Sequence, residues 1–160
     1  MKTLLILRHG KAEKGSHLPD HDRPLTDRGE RQSVAAGERL RQEGLVPDAI
    51  LTSTADRAKR TAELAAEACG FQGEIEIRDE LYLAESKRLL DVVRGLPAKN
   101  RVAMIVGHNP GLENLVSELT GVHHTLGTGC LVAFELEIPS WLHAGAGTHP
   151  DKVFFWDSDD

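Results

Sequence analysis

A chain of 160 residues with a formal net charge of −6 at pH 7 has the size of one ordinary domain. We therefore expect a single domain over residues 1–160. The acidic balance argues against sequence-independent nucleic-acid binding, which needs a basic face, and against binding to an anionic membrane surface. Any anion that this protein binds must be captured by local groups.

The two cysteines and the hydrophobic segments indicate the compartment. Cys69 and Cys130 lie far apart in apolar surroundings, without the spacing of a zinc site or a disulfide framework, so we expect buried, reduced thiols. The N-terminal apolar run is too short for a signal-peptide core, and no later segment approaches the length of a membrane span. We expect a soluble cytoplasmic protein, with a monomer favoured.

The first predicted element is a strand, the apolar run from Leu4 to Leu7, which is followed directly by Arg8, His9 and Gly10. A short continuous apolar run is typical of a strand buried on both faces inside a parallel sheet. In open α/β sheets, ligands bind beyond the carboxyl ends of the strands, so Arg8 and His9 lie where a ligand is expected. Gly10 lets the backbone turn away at once.

A polar segment without helical or alternating periodicity follows from residue 11 to residue 25, and it is predicted to be a loop that borders the ligand site. Thr26 or Asp27 can cap a helix that runs to about Gln42. Residues 49–52 then predict a second short strand.

A second helix is predicted to begin at Ser53–Asp56, which has the capping-box spacing of a hydroxyl and an acid three residues later. Small side chains recur along it at helical spacing, and Gly70 ends it. Residues 74–77 alternate like a strand, and Ser86 can cap a third helix.

Residues 101–108 repeat the opening pattern, an apolar strand that ends in Gly107 and His108. Asn109 can cap the next helix, with Pro110 in its first turn. Four apolar residues at positions i, i+3, i+4 and i+7 make this helix the clearest in the chain: Leu112, Leu115, Val116 and Leu119.

Residues 131–138 and 152–156 predict two further strands joined by a long loop, and residues 158–160 predict a solvated tail. Alternating strands and helices predict an α/β fold, a three-layer α/β/α sandwich with a mainly parallel central sheet.

Polar side chains follow three of the predicted strands: Arg8 and His9, then Ser53 with Arg57, and then His108. If the strands are parallel, all three ends face one crevice, and two of them open onto helix N-termini that favour an anion. Guanidinium groups bind oxyanions with paired donors, so the sequence predicts a phosphoryl site. No carboxylate cluster for Mg²⁺ and no glycine-rich nucleotide loop accompany it, so we expect neither a metal nor a cofactor.

Within this predicted site, His9 is the better candidate for a nucleophile, because a neutral imidazole has a lone pair and can hold a phosphoryl group covalently. Arg8, Arg57 and His108 are predicted to bind the phosphoryl oxygens, with the backbone N–H groups of Gly10 and Asn109. The other histidines are predicted to be solvated, with a metal pair at 123 and 124 as the one alternative: His17, His21, His123, His124, His143 and His149.

Three stretches together resemble the motifs of the histidine phosphatase superfamily, which has the phosphoglycerate-mutase-like fold: Leu7–Gly10, Ser53–Ala62 and Val106–Pro110. This resemblance implies that His9 is the phosphorylated nucleophile, that Arg8, Arg57 and His108 complete the phosphate pocket, and that no metal is used.

The short length and two further stretches, Asp22–Gly29 and Gly107–Glu113, resemble the short phosphohistidine phosphatases within that family. Those enzymes remove phosphate from histidine-containing phosphotransfer domains, so the resemblance implies a phosphorylated protein as the partner. Larger members carry insertions that cover the site and select small phosphate compounds, and this chain has little material for such a lid.

The general acid is where this chain departs from the family pattern. Members that act on esters place a carboxylate to protonate the leaving oxygen, and the candidates here are Glu80, which aligns better, and Glu85. Glu80 can equally be an exposed charge beside a strand. A departing histidine, with an ordinary pKa near ~6.5, needs an acid less than an alkoxide does, so a weak or missing acid favours phosphohistidine.

Two alternatives stay open. One is a small-molecule phosphomonoesterase or mutase that uses Glu80 as its acid, and the other is a phosphate-recognition module that has lost catalysis. Lys11, after the signature glycine, either adds positive field at the rim of the site or is merely solvated.

Overall fold

The chain folds into six strands and four α-helices over residues 1–15, 17–145 and 147–157, the residues that the computed structural model describes. The strands are β1 (Lys2–Arg8), β2 (Ala49–Thr52), β3 (Glu76–Ile77), β4 (Val102–Gly107), β5 (Leu131–Leu136) and β6 (Lys152–Trp156). The helices are α1 (Asp27–Gln42), α2 (Asp56–Cys69), α3 (Ser86–Arg94) and α4 (Gly111–Thr120).

All six strands form one sheet in the order β3-β2-β4-β1-β5-β6. The first four of these are mutually parallel, whereas β5 runs antiparallel to β1, and β6 runs antiparallel to β5. The prediction of a mainly parallel sheet is confirmed, with two antiparallel strands added along one side.

Strand β1 lies at the centre of the three layers. Leu4 and Ile6 point into one apolar cluster with residues of α3 and α4, while Leu5 and Leu7 point into a second cluster with the small residues of α1 and α2. Successive side chains of a strand alternate between faces, so a continuous apolar run is what a strand covered on both sides requires. The predicted α/β/α sandwich is confirmed.

The parallel register brings the polar strand ends to one edge of the sheet. Arg8 of β1 is paired with Gly107 of β4, and Thr52 of β2 is paired with Val106 of β4. The residues that follow each strand therefore emerge side by side, as the sequence predicted.

The predicted helix starts are correct only for α1. Thr26 caps α1, and its side chain accepts a hydrogen bond from the N–H of Gly29. The capping box at Ser53 is wrong, because α2 begins at Asp56 after Ala55 without a side-chain cap. The physical reason is that the Ser53 hydroxyl is bound to a histidine across the sheet edge.

Two other predicted caps are also wrong. Ser86 is the first residue of α3 rather than its cap, and its hydroxyl donates to Glu118 of α4. Helix α4 begins at Gly111 after Pro110, while the amide of Asn109 is bound to a carboxylate one turn along. In each case the hydroxyl or amide binds another side chain, and the predicted cap of the helix does not form.

The other sequence expectations mostly hold. Gly70 ends α2 in the left-handed conformation, with φ 81°. The strand predicted over 74–77 is shorter, only β3, and the strand predicted to reach residue 138 ends at Leu136. Cys69 and Cys130 are buried and free, as expected.

None of the helices in the described residues is long and apolar enough to cross a bilayer. The predicted tail at 158–160 lies outside the described residues.

A backbone contact between two glycines holds the end of β1 against the start of α1. A Cβ on Gly10 would lie 2.4 Å from the carbonyl oxygen of Gly29, and a Cβ on Gly29 would lie 2.1 Å from the carbonyl oxygen of Lys11. Real Cβ atoms do not approach oxygen so closely, so both positions need glycine for close packing.

This contact predicts the effect of Gly29→Ala. In an open helix the change would stabilise by roughly 0.5–1 kcal/mol, but here the clash should dominate and lower the free energy of unfolding by about 1–3 kcal/mol. Urea denaturation measures the change. The matched control is Gly127→Ala, whose added Cβ meets nothing within 4 Å and should change stability by less than about 0.5 kcal/mol. Stabilisation by Gly29→Ala would contradict the packing argument.

Candidate active site

A cavity of about 340 Å³ opens at the sheet edge where β1, β2 and β4 end. Its lining contains Arg8, His9, Lys11, Ala12, Lys14, Asp20, Arg23, Arg57, Leu83, His108, Asn109 and Thr128. The ring centroids of His9 and His108 lie 5.1 Å apart, and Arg57 is 2 % exposed. The structure therefore brings together the four side chains that the sequence selected: Arg8, His9, Arg57 and His108.

His9 presents one particular ring nitrogen to the cavity. Its Nδ1 lies 2.8 Å from the carbonyl oxygen of Gly10, and a carbonyl only accepts, so Nδ1 carries the hydrogen in the neutral ring. The lone pair is then on Nε2, which accepts from Nε of Arg57 at 3.3 Å. Burial lowers the pKa of His9 to about 4, with Arg57 and Arg8 contributing. At neutral pH, His9 is an uncharged base with an unprotonated Nε2.

His108 is held in the opposite tautomer. Its Nδ1 accepts from Nη2 of Arg57 at 3.4 Å, so Nε2 carries the hydrogen and donates to Oγ of Ser53 at 2.7 Å. Burial lowers the pKa of His108 to about 3, with His9 and Arg57 adding to the shift. Ser53 also accepts from the N–H of Ala55. Ser53 lies at the strand end that the sequence predicts, but it binds His108 instead of capping α2.

Arg57 is bound along two edges of its guanidinium. Nε and Nη2 face the two histidines, while Nη1 donates to the backbone carbonyl of Asp20 at 2.7 Å and Nη2 donates to the Asp20 carboxylate at 3.0 Å. Both edges therefore have partners in the protein. The contacts to the histidines, at 3.3 and 3.4 Å, are the longest, so this is the edge on which an oxyanion would replace the existing partners with a bidentate contact.

Asp20 binds Arg57 in the cavity, and the sequence pattern does not predict this role. Besides Arg57, its carboxylate accepts from the hydroxyl of Tyr82 at 2.5 Å and from Arg23 at 2.9 and 3.1 Å. The Tyr82 hydrogen bond, followed by those of Arg57 and Arg23, holds the pKa of this carboxyl well below its usual range. Asp20 lies in the aperiodic loop after β1, and no local spacing could have connected it to groups that the fold brings from α2 and from the segment after β3.

Arg8 forms the opposite wall of the cavity. Its Nη1 donates to the carbonyl oxygen of Leu126 at 2.9 Å, whereas its buried Nε has no partner among the described residues. Burial lowers the pKa of Arg8, and Glu113 opposes that shift. A buried donor without a partner is costly, so Nε of Arg8 is a polar group that the fold leaves unpaired.

Glu113 fastens the loop that contacts Arg8. One oxygen of its carboxylate accepts from the side-chain amide of Asn109 at 3.0 Å and from the N–H of Leu126 at 2.8 Å. The Asn109 amide donates to Leu126 as well. This network places the Leu126 carbonyl against Arg8, so Glu113 supports the Arg8 wall from one turn inside α4.

The two backbone N–H groups predicted to bind phosphate differ in whether they already have an acceptor within the protein. The N–H of Gly10 donates to Oγ1 of Thr61 at 3.0 Å, so it is engaged inside the protein. The N–H of Asn109 has no acceptor within the described part of the chain. Only the second donor is available to a ligand in this arrangement.

The predicted general acid lies outside the cavity. Glu80 is paired with Arg78 at 2.8 Å, and this hydrogen bond lowers the pKa of its carboxyl. Glu80 and Glu85 instead line a neighbouring cavity, which shares Leu83 with the first. The structure does not bring either glutamate together with the histidines.

Two of the histidines predicted to be solvated are partly exposed and also make side-chain contacts. Nε2 of His21 lies 2.8 Å from Oγ1 of Thr54, and the ring of His21 packs edge-on against Tyr82. His124 stacks on Phe155 with centroids 4.4 Å apart. The other four are exposed: His17, His123, His143 and His149. Within the described ranges, no group of three or more His, Cys, Asp or Glu side chains could hold a metal ion.

Comparison with known proteins identifies the family to which these residues belong. The model of the histidine phosphatase superfamily (branch 1) matches residues 4–86, just over half of the chain. The chain belongs to the histidine phosphatase superfamily. The matched segment contains β1 with His9 and the start of α2 with Arg57, and the predicted family membership is confirmed.

Relatives within the histidine phosphatase superfamily carry different names. Uncharacterized protein Rv1276c of Mycobacterium tuberculosis is 30% identical over 119 residues, which cover 74% of this chain and 73% of that protein. Probable phosphoglycerate mutase GpmB of Salmonella typhi is 29% identical over 169 residues, covering 88% of this chain and 78% of its own.

A solved structure is similar over nearly the whole length. The putative phosphohistidine phosphatase SixA from Nakamurella multipartitia is 29% identical, with a TM-score of 0.77, and the match covers 96% of this chain and 95% of that one. The phosphoglycerate-mutase-like fold is confirmed, and these likenesses support phosphatase activity for this histidine phosphatase.

The Asp20 contacts predict a kinetic effect. Asp20→Ala removes the carboxylate that holds Nη2 of Arg57, so kcat should fall by about tenfold or more while KM changes little. Asp20→Asn keeps an acceptor and should retain most of the activity. Steady-state kinetics with N-phosphoimidazole separate the two constants.

Tyr82→Phe serves as the control for this effect. It removes one donor to Asp20 but leaves both Arg57 contacts, so its kcat should stay close to that of the wild type. Wild-type kcat in Asp20→Ala would mean that Asp20 does not position Arg57.

Proposed function

We propose that this protein is a metal-independent phosphatase that removes phosphate from phosphohistidine in a phosphotransfer protein, through a phosphohistidine intermediate on His9. The observation that carries the proposal is the state of His9: a buried, neutral imidazole whose unprotonated Nε2 lies beside a guanidinium donor. A group in this state can attack phosphorus without first losing a proton.

In the first step, Nε2 of His9 attacks the phosphorus atom in line with the bond to the substrate ring. The P–N bond to His9 forms while the P–N bond to the substrate breaks, and the electron pair of that bond stays on the substrate imidazole. Arg8 and Arg57 donate to the three transferring oxygens and stabilise their charge. His108 can join them only with a proton on Nδ1, because that nitrogen carries a lone pair in the neutral ring and Nε2 already donates to Ser53.

In the second step, a water molecule attacks phospho-His9, the P–N bond breaks, and its electron pair returns to Nε2. Both protons of the water remain on the released phosphate. The Nδ1 hydrogen, held by the carbonyl of Gly10, stays in place throughout. His9 therefore leaves as a neutral imidazole, which is a much better leaving group than an imidazolate.

The same reasoning applies to the substrate. A phosphohistidine that is protonated on its other ring nitrogen departs as neutral imidazole and needs no acid from the enzyme, whereas an alkoxide does. Asp20 is the carboxylate in the cavity, and its hydrogen bonds keep it ionised. Glu80 is also held ionised by Arg78. Carboxylates in this state are poor proton donors, which supports phosphohistidine over phosphate esters.

The second candidate is a small-molecule phosphomonoesterase or mutase. The likeness to the probable phosphoglycerate mutase GpmB favours it. In this alternative, Glu80 would have to break its ion pair with Arg78 and turn towards the leaving oxygen.

The nucleophile is tested by His9→Ala. This variant should lose turnover of N-phosphoimidazole and of a phosphohistidine protein, because it removes the ring nitrogen that forms the covalent bond to phosphorus. In the wild type, rapid quenching should trap acid-labile phosphate on His9. The control is His17→Ala, which changes an exposed histidine outside the cavity lining. Full activity in His9→Ala would overturn the mechanism, and wild-type turnover that depends on His9 would exclude a phosphate-recognition module without catalysis.

The substrate class is tested by Glu80→Gln. If phosphohistidine is the substrate, kcat on a phosphohistidine protein should stay within about twofold of the wild type, since the leaving imidazole needs no acid. If Glu80→Gln abolishes turnover of p-nitrophenyl phosphate and phosphoglycerate, and the wild-type enzyme is inactive on phosphohistidine, the protein is instead a phosphatase that acts on phosphate esters.

A further inference from the structure

The mouth of the active-site cavity carries more positive charge than one phosphoryl group uses. Arg8 and Arg57 serve the phosphoryl site, and Arg23 is paired with Asp20. Two further cationic side chains line the cavity, Lys11 and Lys14, and neither has an ion-pair partner among the described residues.

The charged lining differs between this cavity and the neighbouring one. Lys11 and Lys14 lie on the loop after β1 and line the cavity. Beyond Leu83, the neighbouring cavity is lined by four acidic residues and two basic ones: Asp79, Glu80, Glu85, Asp91, Lys87 and Arg88. Within the described residues, Lys11 and Lys14 thus add unpaired positive charge to the lining of this cavity, in a protein whose net charge is −6.

Leu83 lines both cavities, and both its exposure and its backbone conformation are unusual for a leucine. Its side chain is 54% exposed, and its backbone is in the left-handed region with φ 51°, which a leucine rarely adopts. The fold therefore holds an apolar side chain out towards solvent, at the mouth of the site, in a strained conformation. Strain of this kind is concentrated where a residue has a task in binding or catalysis.

We infer, on the basis of the proposed function, that this mouth is a docking surface for an acidic protein substrate. Lys11 and Lys14 bind carboxylates that flank the phosphohistidine, and Leu83 packs against an apolar side chain of the same partner. The acidic lining beyond Leu83 repels the partner's carboxylates, so the acidic flank of the partner lies on the Lys11 side.

The first test uses three synthetic peptides that each contain one phosphohistidine, flanked by aspartates, by asparagines or by lysines. For the wild type at low salt, kcat/KM should be highest for the aspartate peptide and lowest for the lysine peptide. The double variant Lys11→Ala, Lys14→Ala should lower kcat/KM on the aspartate peptide by about tenfold, as expected for the loss of two exposed ion pairs. The difference should shrink at high salt.

The matched control is the double variant Lys99→Ala, Lys152→Ala, which removes the same charge from exposed lysines outside the cavity lining. It should preserve the preference among the peptides. On N-phosphoimidazole, which has no flanking groups, the Lys11→Ala, Lys14→Ala variant should lose much less of its kcat/KM than it loses on the aspartate peptide. If this small substrate is turned over but the peptides are not distinguished, the docking surface is wrong and the proposed function stands. If neither N-phosphoimidazole nor any peptide is turned over, the proposed function itself fails.

The second test addresses Leu83. Leu83→Ser should lower kcat/KM by about fivefold on an aspartate-flanked peptide that also carries a neighbouring leucine, and it should have little effect when that leucine is replaced by serine. Leu142→Ser, at a leucine that is 71% exposed and outside the cavity lining, is the control. Equal effects of Leu83→Ser on both peptides would exclude an apolar contact with the partner.

Discussion

The active site depends on the placement of one guanidinium group between two buried, neutral imidazoles. Arg57 donates to Nε2 of His9 and to Nδ1 of His108, so its position selects which nitrogen of each ring faces the cavity. Burial and the positive charge of Arg57 together keep both rings uncharged. An anion that enters this cavity meets an unsolvated cation and an unprotonated nitrogen, the combination that attack on phosphorus requires.

The supporting groups come from parts of the chain that are remote in sequence. Asp20, in the loop after β1, holds the outer edge of Arg57, and Tyr82, after β3, holds Asp20. On the opposite wall, Glu113 fastens the loop whose Leu126 carbonyl binds Arg8. Each arginine is thus oriented by hydrogen bonds that precede any contact with substrate, which reduces the entropy lost on binding.

The predicted fold and the meeting of the four predicted side chains at one sheet edge have the same physical cause. The run from Leu4 to Leu7 is apolar without interruption, which only a strand covered on both faces tolerates, and the charged residues that interrupt such runs have to lie at the sheet edge. The caps at Ser53, Ser86 and Asn109 were wrong because a hydroxyl or an amide can satisfy either a local backbone group or another side chain. Local spacing does not distinguish the two outcomes.

The sequence by itself determined the family, through the resemblance of three stretches to the family's motifs. It also determined the three-layer architecture and the meeting of Arg8, His9, Arg57 and His108 at one edge, because these follow from hydrophobic periodicity and from strand order. Only the tertiary structure decided the tautomers of the histidines, the role of Asp20 and the ion pair that holds Glu80 away from the cavity. These depend on distances of about 3 Å between groups that are far apart in the chain, and such distances exist only after the core has packed.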